Sequence, residues 1–245
     1  MDDKYNIFSK YYRQLIHATK HIESEIDTVT HIISELHLSK RDSILDAACG
    51  SGDLLFYLRN SGYNNISGLD ASIGMLDKAK EILPDIPYFH MRWENIRKKI
   101  HMKYDCIFIL SISLIHASQE HFPLIFANIH QILNDYGVFI FDNRFWDIKQ
   151  EEIIEENRLI NNYSNEVVIN IDNEKIIIDD LCYYLDDRQY IKYRIRHGKK
   201  EEYIEVSYSR IITGTLIELL YKAGFSKVET RRFMKWPYEL IFAFK

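Results

Sequence analysis

The sequence predicts an α/β fold in which helices cover both faces of a doubly wound, mostly parallel sheet, and an antiparallel β insertion follows that sheet. Two observations predict it. Between residues 39 and 142, short apolar stretches alternate with amphipathic ones, and a glycine-rich turn follows the first apolar stretch. After residue 147 this alternation stops, and β-branched and aromatic residues alternate with polar ones instead. A chain of 245 residues is long enough for one such domain with an insertion.

The first predicted element is a single N-terminal helix over residues 4–38, because apolar residues recur there at helical spacing. Its histidines are predicted to occupy solvated positions: His17, His21, His31 and His37. The β/α alternation then begins with a strand, a glycine turn and a helix over residues 43–60. Further strands are predicted at residues 65–70, 88–91, 104–110 and 137–142, with helices at residues 75–83 and 119–133 between them.

The second half of the chain is predicted to be mainly β. After a charged, helix-like link at residues 151–158, five segments show the alternation of antiparallel strands: residues 166–171, 175–179, 181–185, 189–195 and 202–208. A helix capped by Thr213 is predicted to run to Ala223 and to stop at Gly224. Strands at residues 227–230 and 238–244 then complete the core sheet.

Composition narrows the class of protein. Lys and Arg total 31 against 36 Asp and Glu, a net charge of -5 that lacks the basic excess typical of nucleic-acid binding. The cysteines Cys49, Cys106 and Cys182 lie in apolar stretches without metal-site spacing, which predicts reduced thiols and no metal. The start of the chain lacks a signal-peptide pattern, and no stretch approaches the roughly 18 apolar residues of a membrane span. We expect a cytoplasmic protein without membrane or nucleic-acid partners; the oligomeric state, including a homo-oligomer, stays open.

The glycine turn predicts an adenosine-containing ligand. Gly50 and Gly52 follow the first strand, where a backbone without Cβ atoms lets a nucleotide-like ligand approach closely. Asp70 ends the second strand, about 20 residues further on, as expected of a carboxylate that accepts hydrogen bonds from ribose hydroxyls.

The same turn argues against a dinucleotide. The third glycine of a pyrophosphate-binding turn is absent, and Leu55 occupies its place. Asp46 and Asp53 flank the turn with negative charge, which suits a sulfonium and an α-amino group better than phosphates. The sequence therefore predicts a cationic ligand.

These residues resemble a known family. The run DAACGSGD at residues 46–53, GLDAS at residues 68–72 and Met75-Leu76 are similar to the first two motifs of class I S-adenosylmethionine-dependent methyltransferases, which have a Rossmann-like core. The resemblance implies S-adenosyl-L-methionine as cofactor, with Asp46, Gly50 and Gly52 at its methionine part, Asp70 at the ribose and Ala71 or Met75 beside the adenine. Ala48 and Leu110 complete the cofactor contacts that we expect on this basis.

Two further segments resemble glycine N-methyltransferase-like enzymes: residues 107–116 correspond to their fourth strand, and residues 141–147 to a fifth strand that carries a carboxylate-binding arginine. Ser111 and Ile112 depart from the Gly-Asn pair that this family tends to have. Arg92 occupies the third-strand position where a carboxylate commonly meets the adenine amino group. Because Arg92 cannot accept that hydrogen bond, Trp93 and its backbone become the adenine candidates.

Three residues are candidates for the chemistry, each with an alternative. His116 is either a base or orienting donor in the pocket, or a histidine at a helix start that contacts solvent. Arg144 is either an anion clamp or an exposed salt-bridge partner. Tyr12, with Tyr5 and Tyr11, belongs either to a lid over the cofactor or to ordinary helix packing.

The resulting hypothesis is methyl transfer to the nitrogen of a small amine or amino acid, held by Arg144 if it carries a carboxylate. An O-methyltransferase of a small hydroxylated metabolite, a dinucleotide-dependent reductase and a non-catalytic cofactor-binding protein remain alternatives. The predicted division is a helical lid segment (residues 1–38), a cofactor-binding core (39–147), an antiparallel substrate-covering insertion (148–212) and a C-terminal helix with strands that complete the core sheet (213–245).

Overall fold

The computed structural model describes residues 2–146 and 163–245, so the predicted link at residues 151–158 lies outside the described residues. The α-helices are α1 (Asp2–Ala18), α2 (His21–Glu35), α3 (Asp53–Asn60), α4 (Ile73–Ile82), α5 (Ile96–Lys99), α6 (Phe122–Ile132) and α7 (Thr213–Lys222). The strands of the core are β1 (Ile44–Asp46), β2 (Ile66–Asp70), β3 (Tyr88–His90), β4 (Tyr104–Ile109), β5 (Leu133–Asn143), β10 (Lys227–Arg231) and β11 (Glu239–Phe244). The strands of the insertion are β6 (Ser164–Ile171), β7 (Glu174–Leu185), β8 (Arg188–His197) and β9 (Lys200–Ser209).

The core is a seven-stranded sheet in the order β10-β11-β5-β4-β1-β2-β3. Strands β1 to β5 pair in parallel, and β11 pairs antiparallel with both β5 and β10. Alternate residues of β4 enter opposite hydrophobic clusters, with Ile107 on one face and Phe108 on the other. Helices cover both faces of a parallel sheet, and its strands are therefore apolar on both sides, as β4 is. The predicted α/β fold class is confirmed.

The insertion forms a separate four-stranded antiparallel sheet in the order β6-β7-β8-β9. Its β7 is one continuous strand, so the prediction of two strands at residues 175–179 and 181–185 was wrong. Asp179 and Asp180 suggested a break because they interrupt the apolar alternation. In the structure Asp179 forms ion pairs with Arg194 and Arg196 at 2.7 Å, which accommodates its charge within the strand.

The N-terminal region contains two helices, so the prediction of one helix over residues 4–38 was wrong. The chain turns at Lys20, which has a left-handed φ of 57° between α1 and α2. This turn lets α1 pack on α4 and the insertion while α2 packs on α3. Two of the histidines that were predicted at solvated positions form side-chain hydrogen bonds. His17 Nε2 lies 2.9 Å from Asp53 Oδ1, and His21 Nε2 lies 2.9 Å from the hydroxyl of Ser111.

The C-terminal segment completes the core sheet as predicted, but its helix begins differently. Thr213 does not cap α7; its hydroxyl donates a 2.6 Å hydrogen bond to Glu239 on β11. Cys49, Cys106 and Cys182 are free thiols. Within residues 2–146 and 163–245, no helix has the length and apolar character needed to span a bilayer.

Candidate active site

A cavity of about 590 Å³ opens where the carboxyl ends of β1, β2, β4 and β5 meet α1 and the insertion. Helix α1 contributes one wall, the glycine turn a second, and β6 to β9 a third. The strand order reverses at β1, which lies between β4 and β2, and the carboxyl edge of a doubly wound sheet at such a switch point is the expected ligand crevice. A much smaller cavity adjoins it, since both are lined by Tyr12, Ala48, Gly50 and Ser111.

The two glycines of the turn, Gly50 and Gly52, have different structural roles. Gly50 lines both cavities with a left-handed φ of 49°. Gly52, with a φ of 81°, lines neither cavity; a Cβ atom there would lie 2.8 Å from the Cβ atom of Ala79 on α4. The structure therefore gives Gly52 a packing role between α3 and α4, whereas Gly50 is at the ligand crevice.

Asp70 lies at the end of β2 and faces the large cavity. Its carboxylate accepts hydrogen bonds from the backbone N–H groups of Gly50, at 2.9 Å, and Ser72, at 2.8 Å. Burial raises the pKa of Asp70, and these backbone donors oppose the rise. These two N–H groups fix the Asp70 carboxylate next to the glycine turn. Its remaining lone pairs can accept hydrogen bonds from ligand hydroxyls.

Three acidic side chains line the small cavity, Glu25, Asp46 and Asp53, and together form the acidic group of the site. Asp46 ends β1 and is buried, and its Oδ1 accepts from the Ala48 N–H at 3.2 Å. Glu25 reaches the same cavity from α2, and Asp53 lines it from the start of α3. Burial raises the pKa of Asp46 well above its usual range and that of Glu25 to about 7. Their mutual repulsion favours a positively charged ligand at this place.

The remaining predicted cofactor contacts are divided between the cavities. Ala71, Met75 and Trp93 line the large cavity, and the Trp93 indole donates a 2.6 Å hydrogen bond to the Ala47 carbonyl. Leu110 lines only the small cavity. The Trp93 ring is thereby held against the backbone that follows β1.

His116 is buried at the end of a short 3-10 helix, Leu114–His116, and lines the large cavity. Its Nδ1 lies 2.9 Å from the Ser207 carbonyl and its Nε2 lies 2.8 Å from the Tyr5 hydroxyl. Burial lowers the pKa of His116 to about 4, so the ring is neutral near pH 7. Because a carbonyl only accepts, Nδ1 carries the proton and Nε2 accepts from Tyr5. The predicted solvent-facing alternative is wrong.

Arg144 follows β5 and also lines the large cavity. Its guanidinium lies over the ring of Tyr208 at 5.1 Å and over that of Tyr238 at 5.9 Å. The Nε atom is buried and has no hydrogen-bond partner in the described part of the chain. A buried donor of this kind is costly unless a ligand satisfies it.

Tyr12 lines both cavities from α1, next to Gly50, and its ring packs edge-on against Phe8. Burial raises the pKa of Tyr12, so its hydroxyl stays protonated. Helix α1 is anchored over the cavity at two further points. The Asn6 side chain accepts from the Gly74 N–H at 3.0 Å, and Arg13 pairs with Asp53 at 2.9 Å.

Sequence patterns alone did not indicate three acidic residues of the site. Glu25 and Asp180 line the cavities, and Asp142 accepts a hydrogen bond from the backbone of Ile112, which lines the large cavity. Glu25 carried a usable signal, because it lies on the apolar face of its helix, three residues after Ile22 and four before Val29. A charged residue on a buried helix face usually has a partner or a ligand. Asp180 and Asp142 each interrupt or end an apolar strand, which is the corresponding signal in a sheet.

The residues of this site fit S-adenosylmethionine. The carboxylate of Asp70 suits ribose hydroxyls, and the buried acidic group suits the positive charges of the sulfonium and the α-ammonium. Gly50 supplies the close backbone approach, since a Cβ atom there would already lie 3.4 Å from the Tyr12 ring. The fold and the site together define the architecture of a class I methyltransferase.

Comparisons with known proteins agree. Residues 44–137 match a methyltransferase domain family. A ubiquinone/menaquinone biosynthesis C-methyltransferase of Campylobacter jejuni is 33% identical over 87 residues, which are 33% of this chain and 35% of that protein. A glycine/sarcosine N-methyltransferase of Halorhodospira halochloris is 32% identical over 123 residues, covering 47% and 44%. The matches thus span less than half the length of these curated relatives.

Solved structures are similar over nearly the whole chain. An S-adenosylmethionine-bound amino pentose methyltransferase from Micromonospora echinaspora aligns with a TM-score of 0.74 at 15% identity, covering 97% of this chain and 96% of that one. An S-adenosylmethionine-dependent methyltransferase from Clostridium acetobutylicum aligns with a TM-score of 0.69 at 22% identity, covering 98% and 97%. Residues 44–137 thus match a methyltransferase domain, and the predicted resemblance to class I S-adenosylmethionine-dependent methyltransferases is confirmed by that match together with the fold.

Proposed function

We propose that the protein transfers a methyl group from S-adenosylmethionine to the nitrogen of a small amine or amino acid. The observation that carries the proposal is a single cavity that Asp70 and Arg144 both line. A ligand anchored at Asp70 and a second ligand anchored at Arg144 would therefore meet in one enclosed space. Holding two reactants in this way removes most of the entropic barrier to an in-line displacement.

The cofactor, when bound, supplies an electrophilic methyl group on a sulfonium. The protein groups that would hold it are already fixed by hydrogen bonds within the protein. Asp70 would accept from the ribose hydroxyls, Asp46 and Glu25 would balance the positive charges, and Trp93 would cover the adenine. Ala48 and Gly50 leave room for the methionine part because neither has a side chain beyond Cβ.

Arg144 supports a carboxylate on the acceptor. Its planar fork can bind a carboxylate with two parallel hydrogen bonds, and its Nε atom has no partner among the described residues. The rings of Tyr208 and Tyr238 flank the guanidinium and restrict its orientation. A carboxylate held there would set the distance between the acceptor nitrogen and the methyl carbon.

The environment of His116 favours an amine over a hydroxyl as nucleophile. An amine reacts once it is neutral, and an aromatic, desolvated cavity lowers the pKa of an ammonium. A hydroxyl acceptor needs a base, but the accepting nitrogen of His116 is occupied by Tyr5. The oxygen of Tyr5 keeps a lone pair that can orient an amine N–H. N-methylation is therefore preferred over the alternative O-methylation.

The similar proteins do not fix the acceptor, since they include a C-methyltransferase, an N-methyltransferase and an amino pentose methyltransferase. The direct test incubates the protein with isotopically labelled S-adenosylmethionine and a pooled library of amines, amino acids and their carboxamides. Mass spectrometry should find a labelled methyl group on an acid-bearing amine in preference to its carboxamide. A labelled methyl group on the oxygen of a hydroxylated compound would favour O-methylation instead. Cofactor binding without formation of S-adenosylhomocysteine would favour a non-catalytic binding protein.

A further inference from the structure

The turn after β4 has an uncommon backbone. Ser111 has a φ of 59° and Ile112 a φ of 53°, so two successive residues other than glycine are left-handed. For a β-branched residue such as Ile112 this conformation is an outlier. Such strain persists only where the surrounding structure imposes it, and it concentrates at functional sites.

The carboxylate of Asp142 imposes this conformation. It accepts from the backbone N–H groups of Ser111 at 2.9 Å and Ile112 at 2.6 Å, and from the indole of Trp236 at 3.0 Å. Asp142 is completely buried near the end of β5, the strand next to β4. In this left-handed turn the two successive amides converge on one carboxylate.

The same turn borders both parts of the site: the cofactor half, which contains the glycine turn, Asp70 and Glu25, and the acceptor half, which contains Arg144. Ser111 and Ile112 line the large cavity, and Ser111 also lines the small cavity beside Glu25. The Ser111 hydroxyl donates to Glu25 at 2.8 Å and lies 2.9 Å from His21 Nε2. Since its single proton is used toward the carboxylate, the hydroxyl accepts from His21. The turn therefore links the acidic group to the wall of the acceptor half.

We propose that Asp142 is a positioning residue for methyl transfer. By holding the Ser111–Ile112 turn in its left-handed conformation, it keeps the Ser111 hydroxyl on Glu25 and the Ile112 side chain in the cavity wall. Both contacts align the cofactor half with the acceptor half. Without the carboxylate the strained turn relaxes, and the two halves lose their register while each retains its own binding groups. The inference rests on the proposed function.

The first test is Asp142→Asn in the full-length protein, with the acceptor found in the labelling experiment. The amide side chain keeps one acceptor oxygen but turns an NH₂ group toward a backbone N–H. We expect kcat to fall about 10- to 100-fold, as for an ångström-scale misalignment, while cofactor affinity stays within about threefold. Asp105→Asn is the matched control. Asp105 accepts from Ser43 and Asn134 at the opposite end of β4, so this change should lower Tm and leave kcat unchanged.

A double-mutant cycle separates positioning from general stability. Asn tolerates left-handed φ values, so Ile112→Asn relieves the strain of the conformation that Asp142 imposes. In the Ile112→Asn background, adding Asp142→Asn should reduce kcat by less than about threefold. The packing lost with the Ile112 side chain is common to both members of that comparison. Equal losses of kcat in the two backgrounds would overturn the proposal.

NMR gives a readout that a structural role elsewhere would not move. The Ser111 and Ile112 amide resonances should shift strongly in Asp142→Asn and remain in place in Asp105→Asn. If Asp142→Asn does not fold, Trp236→Phe removes one hydrogen bond to the carboxylate, and kcat should fall about three- to tenfold with the same resonances displaced. Displaced resonances with unchanged kcat would overturn this inference alone. No turnover of any acceptor by the wild type would overturn the proposed function and this inference together.

Discussion

The core sheet and the insertion contribute to the same cavity in different ways. In the core, Asp70 and Asp46 lie at strand ends next to the glycine turn, and backbone N–H groups fix their carboxylates. In the insertion, Asp180 on β7, Tyr193 on β8 and Tyr208 on β9 line the cavity from within strands. Under the proposed function, cofactor recognition would depend on turn geometry, whereas acceptor recognition would depend on which side chains the insertion's strands direct into the cavity. The first constrains sequence tightly and the second leaves it free to vary.

The largest effect expected from this division is at Arg144, the residue proposed to bind the acceptor. Losing a buried hydrogen-bonded charge partner costs about 2–5 kcal/mol, so Arg144→Ala should reduce turnover of a carboxylate-bearing acceptor about 30-fold to several thousandfold. Arg144→Lys should also be impaired because lysine lacks the planar fork. Cofactor affinity should stay within about threefold.

Steady-state kinetics on an acid and its carboxamide, paired with cofactor titration, checks this prediction. The exposed Arg232, which lies over the Phe145 ring at 4.3 Å, provides a control, and Arg232→Ala should leave turnover unchanged. If the wild type treats acid and carboxamide alike, no carboxylate is bound at Arg144.

A second comparison concerns glycines in the two regions. Gly52→Ala in the core combines a left-handed backbone with a clash against Ala79, and it should lower the free energy of unfolding by about 2–5 kcal/mol. Gly198→Ala in the insertion has a φ of 58° but no atom within 4 Å of the added Cβ, so it should cost about 1–2 kcal/mol. Urea denaturation of both variants measures the difference. Equal losses would mean that α3 and α4 move apart without penalty.

The cofactor half is tested at Asp70. Asp70→Ala removes hydrogen bonds to a charged group, so cofactor affinity should weaken by about 1.5–3 kcal/mol, or about 10- to 150-fold. Calorimetric titration with S-adenosylmethionine and S-adenosylhomocysteine checks this. Asp77→Ala, at an exposed position of α4, is the control and should bind normally. Unchanged affinity in a folded Asp70→Ala protein would show that the ribose lies elsewhere.

The smallest expected effect is a pH dependence at Glu25, whose pKa burial raises to about 7. A raised folded-state pKa means that the folded protein binds the extra proton, so this contribution to stability is present below about pH 4.5 and is lost as the pH rises through 7. Cofactor affinity should change in the opposite sense and increase over that range, because the ionised carboxylate attracts a cationic ligand.

The groups that face Glu25 are His21, Asp46, Asp53, Asp142 and Tyr12. Glu25→Gln should flatten both pH profiles. Measuring the two proteins in parallel cancels the slope from Asp142, whose pKa burial raises to about 8. Parallel profiles in wild type and Glu25→Gln would exclude Glu25 as the titrating group.

The fold was largely predictable because its patterns are local. Strand and helix periodicities gave every core strand, and the turn gave the place of Gly50 and Asp70. The break at Lys20 was not predictable from the pattern, since apolar periodicity continues through it. That break depends on α1 and α2 packing against different partners. The single long β7 was missed for a similar reason, because Arg194 and Arg196 on the next strand stabilise the charge of Asp179 within it.

The candidate site was predictable on its cofactor side and only in outline on its acceptor side. Arg144 and His116 could be named from the segments that resemble a known family, but the hydrogen bond between His116 and Tyr5 joins residues 111 positions apart. No local pattern contains such a pair. The strain at Ser111 and Ile112 appeared in the sequence only as a departure from Gly-Asn, and its physical meaning required the backbone angles.

Helix α1 contacts both halves of the site: Arg13 pairs with Asp53 beside the glycine turn, and the Tyr5 hydroxyl bonds to His116. Any displacement of α1 that releases the spent cofactor therefore also uncovers the acceptor. An acceptor that can take several methyl groups is then expected to leave between transfers. Intermediates with fewer methyl groups should accumulate in solution before the fully methylated product forms, which is the kinetic behaviour of a distributive enzyme.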